Sequence, residues 1–283
     1  MRTLPSVPIL LTALATLLSA GHLRAQAPGA FLGDLTWPDA EARIRESPIV
    51  VIPFGGGAKE HGPHLPMNAD AVVLEYLLQK AVDSTDVIVA PPILHGWFPA
   101  FRAFPGTEVA DPEVFRRYVY EVGKSMAEQG ARRLVFLNTG ISMATGLPIS
   151  MVARDLRVQY GIPVLVLSWN DLETEEVDAI AEQRAGGHAD ELETSIHLFL
   201  QPERVHMERA VTDYGDLTPK RYPGYEPGLF SRDPSDPEYS TTGLFGDPTL
   251  ATAEKGEKVL AILTRQWLLA LREFAKVPEH RSP

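Results

Sequence analysis

The sequence predicts an α/β fold, a mainly parallel central sheet with helices packed on both faces. Two observations carry that prediction. Short runs rich in Val, Ile and Leu recur along the chain, each followed by a longer amphipathic stretch. The runs are also apolar throughout rather than alternating, which is the pattern of strands buried on both faces.

In chain order, the first 27 residues stand apart. Arg2 supplies a positive start, ILLTALATLLSA (9–20) an apolar core and LRAQA (23–27) an ending in small residues. That is the layout of a secretory signal peptide, and the apolar run is too short to span a bilayer. The chain is therefore expected to be exported, periplasmic or secreted, with no stable membrane insertion after processing. The rest, 28–283, is roughly 255 residues and suits one domain that hides roughly 75% of its unfolded surface. The chain has no cysteine, which excludes disulfides, thiolate metal sites and a cysteine nucleophile. A net charge of −11 argues against a nucleic-acid or anionic-membrane partner.

IVVIPFG (49–55) reads as the first long strand and ADAVVLEYLLQKAVDS (69–84) as the helix after it. DVIVAPP (86–92) is the next strand, and the helix over 111–131 opens with an Asp cap followed by Pro. RLVFLNTG (133–140) and IPVLVLSW (162–169) are further strands. The segment 208–250 is rich in Pro, Gly, Asp and Tyr and reads as a long surface excursion, of the kind that is usually functional. A long amphipathic helix over 251–277 closes the chain.

Ligands of parallel sheets bind beyond the carboxyl ends of the strands, and the polar clusters fall there. His61, His64 and Asp70 follow the first long strand; His95 and Trp97 follow the second. Asn138, Thr139 and Ser142 follow the third; Trp169, Asn170 and Asp171 follow the fourth. In KEHGPHLPMNAD (59–70), imidazoles and a carboxylate suit zinc or manganese, and Gly-Pro lets the backbone turn both rings toward one cavity. The other reading of that stretch is a helix-entry loop capped by Asn68 or Asp70. In GGHADELETSIHLFL (186–200), His188 precedes Asp190, Glu191 and Glu193. Asp190 and Glu191 either favour the positive helix N-terminus or face substrate. Glu193 is placed to orient an imidazole, and a histidine so held is a suitable general acid or base. His197, among Ile196, Leu198 and Phe199, reads as a core or rim residue.

These segments resemble the creatininase (creatinine amidohydrolase) family across nearly the whole mature length. GDLTWPDAEARI (33–44), HGPHLPMNAD (61–70), FPGT (104–107), HADELETS (188–195) and FGDPTLATAEKGEKV (245–259) match its motifs in order. The resemblance implies a three-layer α/β/α sandwich, hydrolysis of amide or cyclic-amide C–N bonds at a two-metal centre, and a homo-oligomer, often a hexamer. It makes His61 a ligand, Asp70 the carboxylate bridging two metals, His188 the catalytic histidine and Glu193 the acid beside it. Lys59 stands where the family has a glutamate, Gly140 where it has a histidine and Ser142 where creatininase has a glutamate.

A lysine ammonium beside a divalent cation costs several kcal/mol in a low-dielectric site. Three outcomes are open. Lys59 replaces one metal charge; or Glu60 and His64 join His61 and Asp70 around a single shifted metal; or the protein only binds a small molecule. The candidate catalytic residues are thus His188, Glu193, Lys59 and Glu60, and the candidate ligands His61, His64 and Asp70, for one divalent metal or none. Asn138, Thr139, Ser142, Trp97, Asp190 and Glu191 are candidates for binding a small-molecule substrate, with Phe98, Phe101 and Arg102 shaping the pocket. The expected activity is an exported hydrolase of small amides or lactams; the alternative is a non-catalytic periplasmic binding protein.

Overall fold

The computed structural model describes residues 29–140, 143–215, 232–235 and 239–279. Five strands form one sheet: β1 (Ala30–Phe31), β2 (Ile49–Phe54), β3 (Val87–Val89), β4 (Leu134–Asn138) and β5 (Val164–Ser168). Their order is β1-β3-β2-β4-β5 and every pair is parallel. The proposed signal segment 1–27 and Ser142 lie outside the described residues, as does much of the 208–250 excursion.

The uniformly apolar strands divide their side chains between two cores. Ile49 and Val51 of β2 face one side with Val87, Val89, Val135 and Leu137. There they meet α2 (Ala69–Ser84), α7 (Glu191–Leu200) and α8 (Ala253–Phe274). Val50, Ile52 and Phe54 face the other side with Ile88, Leu134 and Phe136. Against them pack α1 (Trp37–Glu46), α3 (Pro112–Glu128) and α4 (Met143–Tyr160). This is the three-layer α/β/α sandwich, built by the period-two alternation of strand side chains. Pro53 sits in β2 past the end of the regular β3 ladder at Val51, and its carbonyl still accepts from the Ile93 amide at 2.9 Å.

Local signals set the helix ends. The Asp111 carboxylate accepts the amides of Glu113 and Val114, and Pro112 opens α3. After β5 come two short turns of helix, α5 (Trp169–Leu172) and α6 (Glu175–Asp178). The α7 helix begins at Glu191, where Asp190 and Glu191 favour the positive helix N-terminus. The loop before it turns through Gly187 at φ 151° and Ala189 at φ 49°, and Asp190 caps it by accepting from Leu192 and Glu193.

The α7 helix is held tightly against α8, which matters because α7 carries site residues. A Cβ at Gly256 would stand 2.0 Å from the Ser195 carbonyl oxygen, so only glycine permits this crossing. The Ser195 hydroxyl also accepts the Thr252 amide at 3.1 Å. On α8, fully buried Trp267 donates its indole N–H to the Leu77 carbonyl at 3.1 Å, which ties α8 to α2. No helix among the described residues is long and apolar enough to cross a membrane.

Candidate active site

Behind the carboxyl ends of β2 and β4, the loop Gly55–Asn68 meets the start of α2 and of α7. At its centre the buried Lys59 ammonium lies 2.9 Å from Asp70 Oδ2. His61 holds the other oxygen, with Nε2 3.0 Å from Asp70 Oδ1, and its Nδ1 donates to the Lys59 carbonyl at 2.9 Å. The rings of Phe101 and Phe98 lie 5.3 and 5.9 Å from the ammonium and close the site around it. Burial opposes the Asp70 charge, but Lys59 and His61 outweigh it and hold the carboxyl well below the usual range.

His188 arrives from the loop before α7. Its Nε2 is 3.0 Å from both the Glu60 carbonyl and the Glu60 Oε2. Both groups are acceptors, so Nε2 carries the proton and Nδ1 is left for chemistry. That Nδ1 lies 4.0 Å from Glu193 Oε2. The Phe101 ring stacks on His188 at 4.2 Å. Glu60 is itself fixed: its amide donates to the Thr107 hydroxyl at 3.0 Å and its Oε1 accepts from Gly62. Burial, the largest influence, pushes the Glu193 carboxyl up to about 7, against the pull of His61 and Lys59. Donor atoms of His61, His188 and Glu193 lie within 4.8 Å of one another, a spacing that can hold one metal ion.

The other expected residues have different surroundings. His64 is not in that cluster; its Nε2 meets the Thr194 hydroxyl at 2.8 Å, and its Nδ1 is buried without a partner. The Thr139 hydroxyl donates to the Asp70 carbonyl at 3.1 Å, so it holds the start of α2 rather than the cleft. Asn138 accepts from the Gly140 amide at 3.2 Å. Asp190 caps α7 and also accepts from Gln183 at 2.7 Å. Fully buried Glu191 accepts the amides of Glu182 and Gln183 and pairs with Lys255, which makes it a structural anchor. Trp97 packs against the α3–α4 side of the sheet, away from Asp70. His95 is exposed and pairs with Glu108. Near the site, Trp169, Asn170, Glu173, Asp178, Asp190 and Glu193 line a half-open cleft of about 500 Å³, within the range for small-molecule sites. Burial raises the Glu173 carboxyl there, helped by Asp190 and Asp178.

The Creatininase family model, described as creatinine amidohydrolase, matches residues 33–271. The chain belongs to the creatininase family. It is 28% identical over 259 residues to the creatinine amidohydrolase of Pseudomonas putida, covering 86% of this chain and 96% of that protein. It is 27% identical over 226 residues to the mycofactocin precursor peptide peptidase of Mycolicibacterium smegmatis, covering 76% and 80%. A solved structure of manganese creatininase superposes with a TM-score of 0.72 at 28% identity, covering 88% of this chain and all of that one.

A creatininase-family metal fits part of this site and not the rest. His61, His188 and Glu193, with Asp70 beside them, form a donor set for one cation. The position that Lys59 takes from the family's glutamate is filled by an ammonium already paired with Asp70. Gly140 has no space for the family's histidine, because a Cβ there would stand 2.9 Å from the Gly56 nitrogen and 3.0 Å from the Gly55 carbonyl carbon. Gly140, just past the end of β4, packs against the glycines after β2.

Two buried histidines make stability depend on pH. Burial lowers His64 to about 4 and His197 to about 3, from 6.5. The unfolded chain takes up those protons first, so the stability is present above about pH 6.5 and falls with pH. Glu193 has the opposite sign, because the folded chain keeps its proton up to about 7 rather than 4.5. From pH 7 to pH 5 the histidines cost roughly 4 kcal/mol and Glu193 offsets roughly 2. Urea unfolding should therefore show a net loss of roughly 2 kcal/mol at pH 5, and equal stability at both pH values would contradict this balance.

Proposed function

We propose that the chain is an exported hydrolase of small amides or lactams, with His188 as the proton relay and a metal centre reduced to one divalent cation. The observation that carries this reading is the Lys59–Asp70 ion pair beside His61, facing a histidine whose proton position is already set. The relay needs a basic Nδ1, and the two Glu60 acceptors provide it by holding the proton on Nε2. His188 Nδ1 takes the proton of an attacking water and returns it to the leaving nitrogen. Glu193, poised near neutrality and facing Nδ1, steadies the charge that passes through the ring. Lys59 supplies positive charge beside Asp70 in place of a second metal and stabilises negative charge growing on the substrate oxygen. A zinc or manganese ion, held by His61 and Glu193, would supply Lewis-acid polarisation of the carbonyl, with His188 Nδ1 left free for the proton.

Export, with the mature domain over 28–283, rests on the signal-like start. Assembly into a homo-oligomer such as a hexamer rests on family membership. A binding protein without turnover is the second reading, favoured by the tight packing of Gly140 against Gly55 and Gly56, which leaves no room for a side-chain ligand there. A panel of small amides and lactams, with product detected by mass spectrometry, separates the two. Turnover supports the hydrolase; thermal stabilisation by a panel member with no product from any supports the binder.

A further inference from the structure

His197, on α7, has specific surroundings. Although 1% exposed, it lines a cavity of about 10 Å³ together with His61, Asp70, Thr139, Trp169 and Glu193. Its Nδ1 is 3.0 Å from Gln201 Nε2. The Gln201 carbonyl end is identified by Arg204, which donates to Oε1 at 3.1 Å and also holds Asn68 at 3.1 Å. Arginine only donates, so Gln201 must turn its NH₂ to His197. His197 Nδ1 is then an acceptor, and the ring, which burial keeps neutral, carries its proton on Nε2. Among the described residues, Nε2 has no hydrogen-bond partner.

We propose that the cavity between His197, Asp70 and Glu193 is a binding site for one water molecule rather than a cation, and that Arg204 and Gln201 enforce this by fixing an N–H toward it. The size is at the lower bound for one water, which needs two to four polar partners. His197 Nε2 donates to it, and it donates to the carboxylates of Asp70 and Glu193; Glu193 has only its Oε2 engaged, by the Ala189 amide. A cation would meet a hydrogen where it needs a lone pair. His197 is therefore a positioning residue, holding two carboxylates of the site from behind. The inference stands on this network alone and does not require turnover.

The test is long-range ¹⁵N–¹H NMR of histidine-labelled protein, with zinc chloride as the probe. The wild-type His197 should show the Nε2–H tautomer and keep its Nε2 proton when zinc is added. Gln201→Glu keeps a partner for Arg204 but turns an acceptor to Nδ1. It should switch His197 to the Nδ1–H tautomer and bind zinc ~10–100-fold more tightly, the usual size of a second-layer effect on metal affinity. A wild-type Nδ1–H tautomer, or loss of the His197 Nε2 proton on adding zinc, would overturn the proposal even if the variant does not fold. A folded Gln201→Glu that keeps the Nε2–H tautomer or gains no zinc affinity would also overturn it.

Discussion

His188→Ala is expected to lower kcat for an amide or lactam substrate by ~10²–10⁴-fold, the range of a lost general acid–base residue. The geometry puts the loss in kcat rather than KM. His188 is buried under Phe101 with its Nε2 committed to Glu60, so the ring offers substrate only Nδ1. Glu60 keeps its bond from Gly62 and its amide keeps Thr107, so the loop has other anchors when the ring is removed. Steady-state kinetics with a thermal melt make the measurement. Wild-type kcat in a folded variant would remove His188 from the mechanism.

Lys59→Met is expected to cost about 3–5 kcal/mol of folding stability, the usual penalty for leaving one half of a buried ion pair. Methionine keeps the length and packing between Phe98 and Phe101 but leaves the Asp70 carboxylate with His61 as its one remaining side-chain partner among the described residues. The Asp70 side chain is 3% exposed, so water gives little relief. Denaturant unfolding reads the loss directly. The double variant Lys59→Met with Asp70→Asn should recover part of it, because the uncompensated charge is then gone; no recovery would show that the cost lies elsewhere.

Much of this was readable from the chain. Uniformly apolar runs give β2, β4 and β5, and the Asp-Pro start gives α3. The two-residue strand β1 carries too little pattern to be seen. The start of α7 was legible in Asp190 and Glu191, acids that favour a helix N-terminus, and Asp190 is its cap. Site residues close in sequence were legible, such as His61 with Asp70. The partner of His188 was not, because Glu60 lies 128 positions away and only the fold joins them. His95 stood at the end of a strand like the others, yet the segment after β3 runs outward and leaves it in solvent. His197 was correctly read as buried. The signal for more was local: Gln201 sits four positions on and Arg204 three beyond that, the spacing of a side-chain relay at a helix end.

Metal content joins these strands most directly. In the proposed function, Lys59 stands in place of a metal charge. Elemental analysis of the purified wild-type protein, dialysed against zinc or manganese, should find no more than about one ion per chain, consistent with a single donor set. Lys59→Glu puts two carboxylates together in a buried site, so its metal content should rise above that of the wild type and its stability should depend on the metal. Two tightly held ions in the wild-type chain would contradict the account.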